Sequence, residues 1–135
     1  LFMDIGTCRI VGGPGNEQVT ADNIINVRNF QAKLGPGDNS LDLFVFFGDQ
    51  VKATFGGGND QCFLSQAQVR GPVSVNLGSG DDLLEVGDSQ LGLTDRGRAR
   101  VPVFNGGSGD DIFHDEGGNS FPVPGPKVVN FETIP

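Results

Sequence analysis

The sequence contains no tryptophan, no tyrosine, a single histidine and two cysteines. The one histidine, His114, lies near the end of the chain, so we expect no Ser-His-Asp, Cys-His or HExxH site and predict that the chain is not an enzyme. Phenylalanine is the only aromatic residue, with 11 copies. Because its ring has no polar tip, phenylalanine fits a dry interior better than a wet aromatic binding surface.

Basic residues are also scarce, with 9 Lys and Arg against 17 Asp and Glu, for a net charge of -8. This excess of negative charge argues against nucleic acid and anionic membranes as partners. No apolar run is long enough for a transmembrane helix, so we expect no membrane insertion. No signal peptide is visible, and Leu1 favours a processed or excerpted chain. The hydrophobic content of 36% is enough for a core, and we expect a single domain over residues 1–135.

Glycine, with 22 copies, is abundant and recurs in a fixed pattern. Each copy reads Gly-x-Gly, then two acidic or amide residues, a variable residue and an apolar residue. The second glycines stand at positions 15, 37, 58, 80 and 109, with steps of 22, 21, 22 and 29 residues. A period of this size is typical of stacked repeats. The motifs span residues 12–20, 34–42, 55–63, 77–85 and 106–114.

Apolar and polar residues alternate before and after each motif, as in the segment 73–77, and no segment has helical spacing. This pattern predicts an all-β, single-domain parallel β-solenoid of about five to six coils of 21–22 residues, with two or three strands per coil. The long final step predicts an inserted loop over residues 92–100. Residues 116–135 are expected to form a C-terminal extension or a last coil. Pro102 lies inside a predicted strand, where it removes a backbone donor and indicates a bulge.

Residues 106–114 match the nonapeptide G-G-x-G-x-D-x-U-x, in which U is a large apolar residue. The chain therefore resembles the haemolysin-type (RTX) calcium-binding repeats of secreted bacterial proteins. In that family, aspartates of stacked turns hold Ca²⁺ between coils together with loop carbonyls. The resemblance implies a set of Ca²⁺ ligands and poorer equivalents in this chain: Asp60, Asp82 and Asp111, with Glu17 and Asn39 as the poorer equivalents, and Asp81 and Asp110 as acidic neighbours.

The coil length differs from that family, which places two nonapeptides in each coil of 18 residues. One motif per 21–22 residues is more similar to the right-handed parallel β-helices, which include surface adhesins and polysaccharide lyases. Carboxylates stacked about 4.8 Å apart repel one another unless a cation or hydrogen bonds intervene. The strongest calcium site is expected between the coil of Asp82 and that of Asp60 or Asp111, whereas the coil of Asn39 should bind less well. The alternative is that these residues only cap the turns.

The remaining reactive or charged residues have ordinary interpretations. Cys8 and Cys62 lie in different coils and at different phases of the repeat, so we predict two buried free thiols rather than a disulfide. His114 is expected at the surface. A basic cluster in the inserted loop is either solvated or a clamp on an acidic partner; it consists of Arg96, Arg98 and Arg100. Lys33 and Lys52 are expected to align on the outward side of neighbouring coils. This alignment is the observation that favours a polysaccharide lyase-like alternative.

These observations favour an extracellular or cell-surface structural or adhesive module. Open solenoid ends expose unpaired strand edges, so the module could assemble head to tail with copies of itself. Two alternatives remain: a calcium-triggered folding module of a secreted enzyme, and a small carbohydrate-active β-helix that binds surface glycans.

Overall fold

The computed structural model describes residues 5–93 and 98–132, and these residues form 11 strands. None of them belongs to a helix long and apolar enough to cross a membrane. The strands are β1 (Ile5–Val11), β2 (Gln18–Lys33), β3 (Ser40–Thr54), β4 (Gln61–Ser65), β5 (Gln68–Val69), β6 (Val73–Asn76), β7 (Leu83–Gly87), β8 (Gln90–Leu91), β9 (Val103–Asn105), β10 (Ile112–Gly117) and β11 (Lys127–Val129).

Every pairing between these strands is parallel. The strands that follow the glycine turns stack in the order β2-β3-β4-β7-β10, which we name the post-turn face. The strands that precede the turns stack in the order β1-β2-β3-β6-β9-β11, the pre-turn face. A short third ladder joins β3, β5 and β8. The predicted all-β parallel solenoid is confirmed, with about five stacked coils.

The long strands β2 and β3 cross all faces of the first two coils, so the chain must bend inside them. One bend per coil is made by a residue other than glycine with positive φ: Asn23, Val45, Gln66 and Asp88 have φ of 55°, 50°, 52° and 48°. Asn and Asp tolerate this left-handed conformation, whereas it is rare for a β-branched residue such as Val45. The recurrence of the bend at steps of 22, 21 and 22 residues shows that the coil geometry, not the residue type, imposes the conformation.

Rows of apolar side chains from successive coils fill the interior. One row contains Leu41, Cys62, Leu84 and Phe113, each at most 3% exposed and each in register with the next. Phe30 and Phe46 meet edge to face, with ring centroids 5.5 Å apart. Such stacking buries a continuous core although each coil alone could bury little.

Both cysteines are free thiols, as predicted. Cys62 lies in the apolar row, and burial, assisted by the negative charge of Asp42, raises the pKa of its thiol to about 12. Cys8 pairs in register with Phe30 on the pre-turn face and is only half-buried, so the expectation of two buried thiols is wrong for this residue.

Residues 92–102 separate β8 from β9, where the sequence has its long step. The backbone N–H of Arg100 donates to the carbonyl of Gly92 at 2.7 Å and closes the base of this segment. Arg98 and Arg100 are exposed, and Arg96 lies outside the described residues. Pro102 precedes β9, and its carbonyl accepts the N–H of Lys127 at 2.8 Å. The prediction of a strand through Pro102 is therefore wrong, because β9 begins one residue later.

Candidate functional site

The five glycine turns stack on one another along one edge of the solenoid, which we name the Gly-Asp edge (residues 12–17, 34–39, 55–60, 77–82 and 106–111). The second glycine of the later turns has positive φ, and a Cβ there would collide with the carbonyl oxygen of the equivalent glycine in the preceding turn. These glycines are Gly37, Gly58, Gly80 and Gly109. Glycine is needed at each for its backbone conformation and for the close approach of the next turn.

The last residue of each turn forms a continuous hydrogen-bonded row, the inner ladder. The side-chain oxygen of each member after the first accepts the backbone N–H of the preceding member, at 2.7–2.9 Å. Its members are Glu17, Asn39, Asp60, Asp82, Asp111 and Glu132. Those from Asn39 to Asp111 are at most 2% exposed. The inner ladder therefore satisfies one oxygen per side chain in the protein interior.

A second row, the outer ladder, runs along the exposed side of the same turns. Here the backbone N–H of each later residue donates to the side chain of the preceding turn, at 2.8–3.0 Å, which is the reverse of the inner direction. Its members are Asn16, Asp38, Asn59, Asp81 and Asp110. The predicted ligands Asp81 and Asp110 thus lie on a different row from Asp60, Asp82 and Asp111.

Asn39 shows what surrounds the second polar atom of an inner side chain. Its amide nitrogen Nδ2 donates to the carbonyls of Gly35 and Gly37, both at 2.9 Å. In Asp60, Asp82 and Asp111 the corresponding atom is the carboxylate oxygen Oδ2, which is buried and has no hydrogen-bond partner.

By the repeat register, the equivalent carbonyls in the turn of Asp82 are those of Gly78 and Gly80, and the carbonyl of Gly78 also accepts the backbone N–H of Ser108 at 3.0 Å. An ionised carboxylate has no proton to donate to a carbonyl. A buried polar atom without a partner is costly, and a proton, a water molecule or a cation would each satisfy it.

The electrostatics of the inner ladder agree with this conclusion. Desolvation by burial raises the pKa of Asp60 and Asp111 above the usual range, although a backbone N–H opposes the shift in each. Burial is also the main cause for Asp82, whose pKa rises to about 7, and the neighbouring carboxylates Asp111 and Asp60 raise it further. Burial therefore disfavours the ionised form of each of the three aspartates.

The residues present fit a hard cation. Carboxylate and backbone carbonyl oxygens are the ligands that calcium prefers, and both line the inner side of the aspartate turns. The first turn differs, because Oε1 of Glu17 accepts the N–H of Gly13 at 3.0 Å while its Oε2 is buried without a partner. The turn of Asn39 offers no carboxylate and already satisfies its carbonyls with an amide.

The sequence analysis missed the sixth member of the inner ladder, Glu132. Its Oε2 accepts the N–H of Asp111 at 2.7 Å, and its own N–H donates to the carbonyl of Asp111 at 2.9 Å. No Gly-x-Gly precedes it, so the motif search passed over it. The available signal was the spacing of 21 residues from Asp111, one coil length.

Comparisons of the chain with protein-family models, with curated proteins and with solved structures found no match. The resemblance to the haemolysin-type repeats consequently depends on the motifs alone.

Proposed function

We propose that the chain is a structural or adhesive β-solenoid of the cell surface or extracellular space, and that its Gly-Asp edge binds calcium between coils. The observation that supports the proposal is the row of buried, unpartnered oxygens of Asp60, Asp82 and Asp111 at the place where Asn39 carries a donor. A bound cation would neutralise these carboxylates and meet glycine carbonyls of their own turns, which are equivalent to those that the amide of Asn39 meets in its turn.

The expected weakness of such calcium sites supports the proposed location outside the cell. Calcium sites built from few carboxylates and several carbonyls are weak, and weak sites of extracellular modules work at calcium levels far above those of the cytosol. Each aspartate turn supplies one buried carboxylate from the inner ladder, with the exposed Asp81 and Asp110 nearby in the last two turns. The exposed acids add long-range attraction for a cation.

The chain contains its own control for the test, because Asn39 and Asp82 occupy equivalent places. The change Asp82→Asn should stabilise the metal-free protein at slightly alkaline pH by about 1 kcal/mol, since the new amide can donate to the glycine carbonyls. The same change should remove much of the stabilisation by calcium, which for one site reaches about 2.7 kcal/mol at a hundredfold excess over Kd. Asn39→Asp should do the opposite in both buffers.

Urea unfolding of the three proteins in chelator and in millimolar calcium measures these changes. Equal calcium increments in the wild type and both variants would show that calcium binds elsewhere. If calcium raises the stability of none of the three proteins, the aspartates only cap the turns.

Self-association is the second part of the structural proposal. Within residues 5–93 and 98–132, β1 pairs only with β2 at one end of the stack, and β10 and β11 each pair with a single strand at the other. Such edges present unpaired N–H and C=O groups that can template another chain. Head-to-tail addition of a second copy would continue the strand ladders and both side-chain ladders of the Gly-Asp edge.

Binding of an anionic glycan is a second candidate function, favoured by a groove on the pre-turn face. Arg9, Lys33 and Lys52 line it with Gln31 and Thr54. Among the described residues no carboxylate forms an ion pair with any of the three cations. Basic groups collected on one face of an acidic protein attract carboxylate or sulfate groups.

The strand register corrects the predicted alignment of the two lysines. Lys52 lies opposite Gln31, and Lys33 lies opposite Thr54, so the lysines occupy adjacent rows rather than one row. Calorimetric titration with a uronic acid oligosaccharide should show binding that Lys52→Ala weakens and Arg98→Ala, in the inserted segment, does not. Equal effects of the two changes would contradict a site in this groove.

A further inference from the structure

The only histidine of the chain lies between two carboxylates on the post-turn face. His114 of β10 is in register with Glu85 of β7, and its Nδ1 is 3.7 Å from Oε1 of that residue. The same Nδ1 is 3.9 Å from Oε1 of Glu116. The ligand atoms of the three side chains all lie within 4.8 Å of one another.

A local irregularity of β10 brings Glu116 to this place. The register with β7 shifts between Asp115 and Gly117, so Glu116 is an extra residue without a partner in the ladder. β-bulges of this kind change the direction of a side chain. Glu116 lies over Gly87. A Cβ added at Gly87 would come within 3.3 Å of the Cβ of Glu116 and within 3.4 Å of its Oε2. The missing side chain at position 87 leaves the space that the carboxylate occupies.

The separations are close to those around a single metal ion. Zinc binds histidine nitrogen and carboxylate oxygen at about 2.0–2.2 Å, which places neighbouring ligand atoms of a tetrahedral ion about 3.4 Å apart. The two distances from Nδ1, 3.7 and 3.9 Å, exceed this value by a few tenths of an ångström, and the two carboxylate oxygens lie within 4.8 Å of each other. Small side-chain rotations would close the gap, and the half-exposed side chains leave one position open to water.

The charges and the ligand types point to the same class of ion. Two carboxylates face one imidazole, so even a protonated ring would leave a net negative charge that a divalent cation neutralises. Imidazole nitrogen suits zinc and its neighbours in the first transition series, whereas calcium prefers an all-oxygen set. The cluster around His114 is therefore expected to prefer a different metal ion from the Gly-Asp edge.

We propose that Glu85, His114 and Glu116 bind one divalent transition-metal ion, typified by Zn²⁺. Nδ1 of His114 and one carboxylate oxygen from each glutamate are the protein ligands, and water completes the coordination. The site joins the fourth and fifth coils across β7 and β10, so the ion is also a crosslink between these coils. It does not depend on calcium binding at the glycine turns.

Nitrogen NMR of the single imidazole tests the proposal, because His114 is the only source of the signal. Zn²⁺ is added to the protein in saturating calcium, which keeps the Gly-Asp edge occupied if it binds calcium. We expect the Nδ1 resonance to move with one molar equivalent of zinc, while Nε2 keeps its proton. His114→Gln should abolish zinc binding in calorimetry, and Glu85→Gln and Glu116→Gln should each weaken it roughly tenfold or more.

Asp42→Asn is the matched control, since Asp42 lies on the same outward row two coils before Glu85. This change should leave zinc affinity unaltered, and urea midpoints establish that each variant is folded. The proposal is overturned if Nδ1 does not move, or if His114→Gln keeps wild-type zinc affinity. Zinc binding that Asp82→Asn removes and His114→Gln retains would also overturn it, by placing the ion on the Gly-Asp edge.

Discussion

At the scale of single residues, one atom separates the turn of Asn39 from the turns of Asp60, Asp82 and Asp111. The amide nitrogen of Asn39 donates to two glycine carbonyls, whereas the equivalent carboxylate oxygens have no partner. From the sequence Asn39 counted only as a ligand without charge. In the structure its amide supplies the donor that the equivalent carboxylates of Asp60, Asp82 and Asp111 lack.

Asp82 should make the metal-free protein less stable as pH rises. The carboxyl titrates near 3.9 when unfolded and has a pKa of about 7 in the folded chain. Between these values the folded state binds more protons, so stability is greatest below about pH 4 and falls as pH rises toward 7. Asp60 and Asp111 contribute in the same direction. Urea midpoints in chelator between about pH 4 and 8 measure this slope.

Asp82→Asn is the comparison for that slope, since an amide does not titrate. The stability of the variant should fall less steeply with rising pH than that of the wild type. The variant should therefore be most stabilised, relative to wild type, at the alkaline end of the range. Saturating calcium should flatten the decline in the wild type if the cation binds the ionised carboxylates. An identical slope in the variant would show that other groups cause it.

At the scale of the element, the glycine turn owes its shape to the turn stacked against it. Gly37, Gly58 and Gly80 share positive φ and direct contact with the preceding turn. Gly15 holds the same motif position in the first turn, but a Cβ there would meet nothing closer than Oε1 of Glu17, at 3.9 Å. Identical sequence positions therefore tolerate different side chains.

Gly80→Ala and Gly15→Ala should consequently differ widely in their effect. The first forces an alanine into the left-handed region, which costs about 1–2 kcal/mol, and drives its Cβ into the carbonyl of Gly58. We expect a total loss of about 3 kcal/mol or more for Gly80→Ala, and a change within about 0.5 kcal/mol for Gly15→Ala. Chemical unfolding of both variants in one buffer decides the matter. Similar losses would mean that the turns do not stack as described.

At the scale of the whole molecule, the proposed cation binding and the proposed assembly should depend on each other through the stack. Each coil is held by its neighbours, so whatever stabilises the Gly-Asp edge also holds the strand ladders together. In the part of the chain that the structure describes, the strands at the ends of the stack are paired on one side only.

Sedimentation velocity in chelator and in millimolar calcium should distinguish the proposed functions. A structural module that assembles head to tail should give larger species in calcium, and their sedimentation should rise with protein concentration. Magnesium at equal ionic strength is the control for screening. A slow, expanded monomer that calcium only compacts would instead indicate a calcium-triggered folding module. A compact monomer indifferent to calcium would contradict the calcium proposal and direct attention to the basic groove.

Several features of the site were outside the reach of sequence reasoning. The motif indicated which carboxylates share a row. Glu132 belongs to that row because the last coil places its side chain against the backbone N–H of Asp111. The bend at Val45 violates the local preference of its residue type, so no local rule predicts it. The cluster around His114 depends on a bulge and on the strand register, and neither is written in the spacing of the three residues.

The sequence by itself determined the coil length, the parallel stacking, the glycine turns and the apolar rows, because each depends on a pattern that recurs with every coil. The tertiary structure decided which atoms meet: the opposite directions of the inner and outer ladders, the carbonyls that face Asn39 within its own turn, and the approach of Glu85 and Glu116 to His114. The physical reason is that the ladder partners lie 21–29 residues apart along the chain, and His114 lies 29 residues from Glu85. Their geometry is set by a register that only the packed coils define.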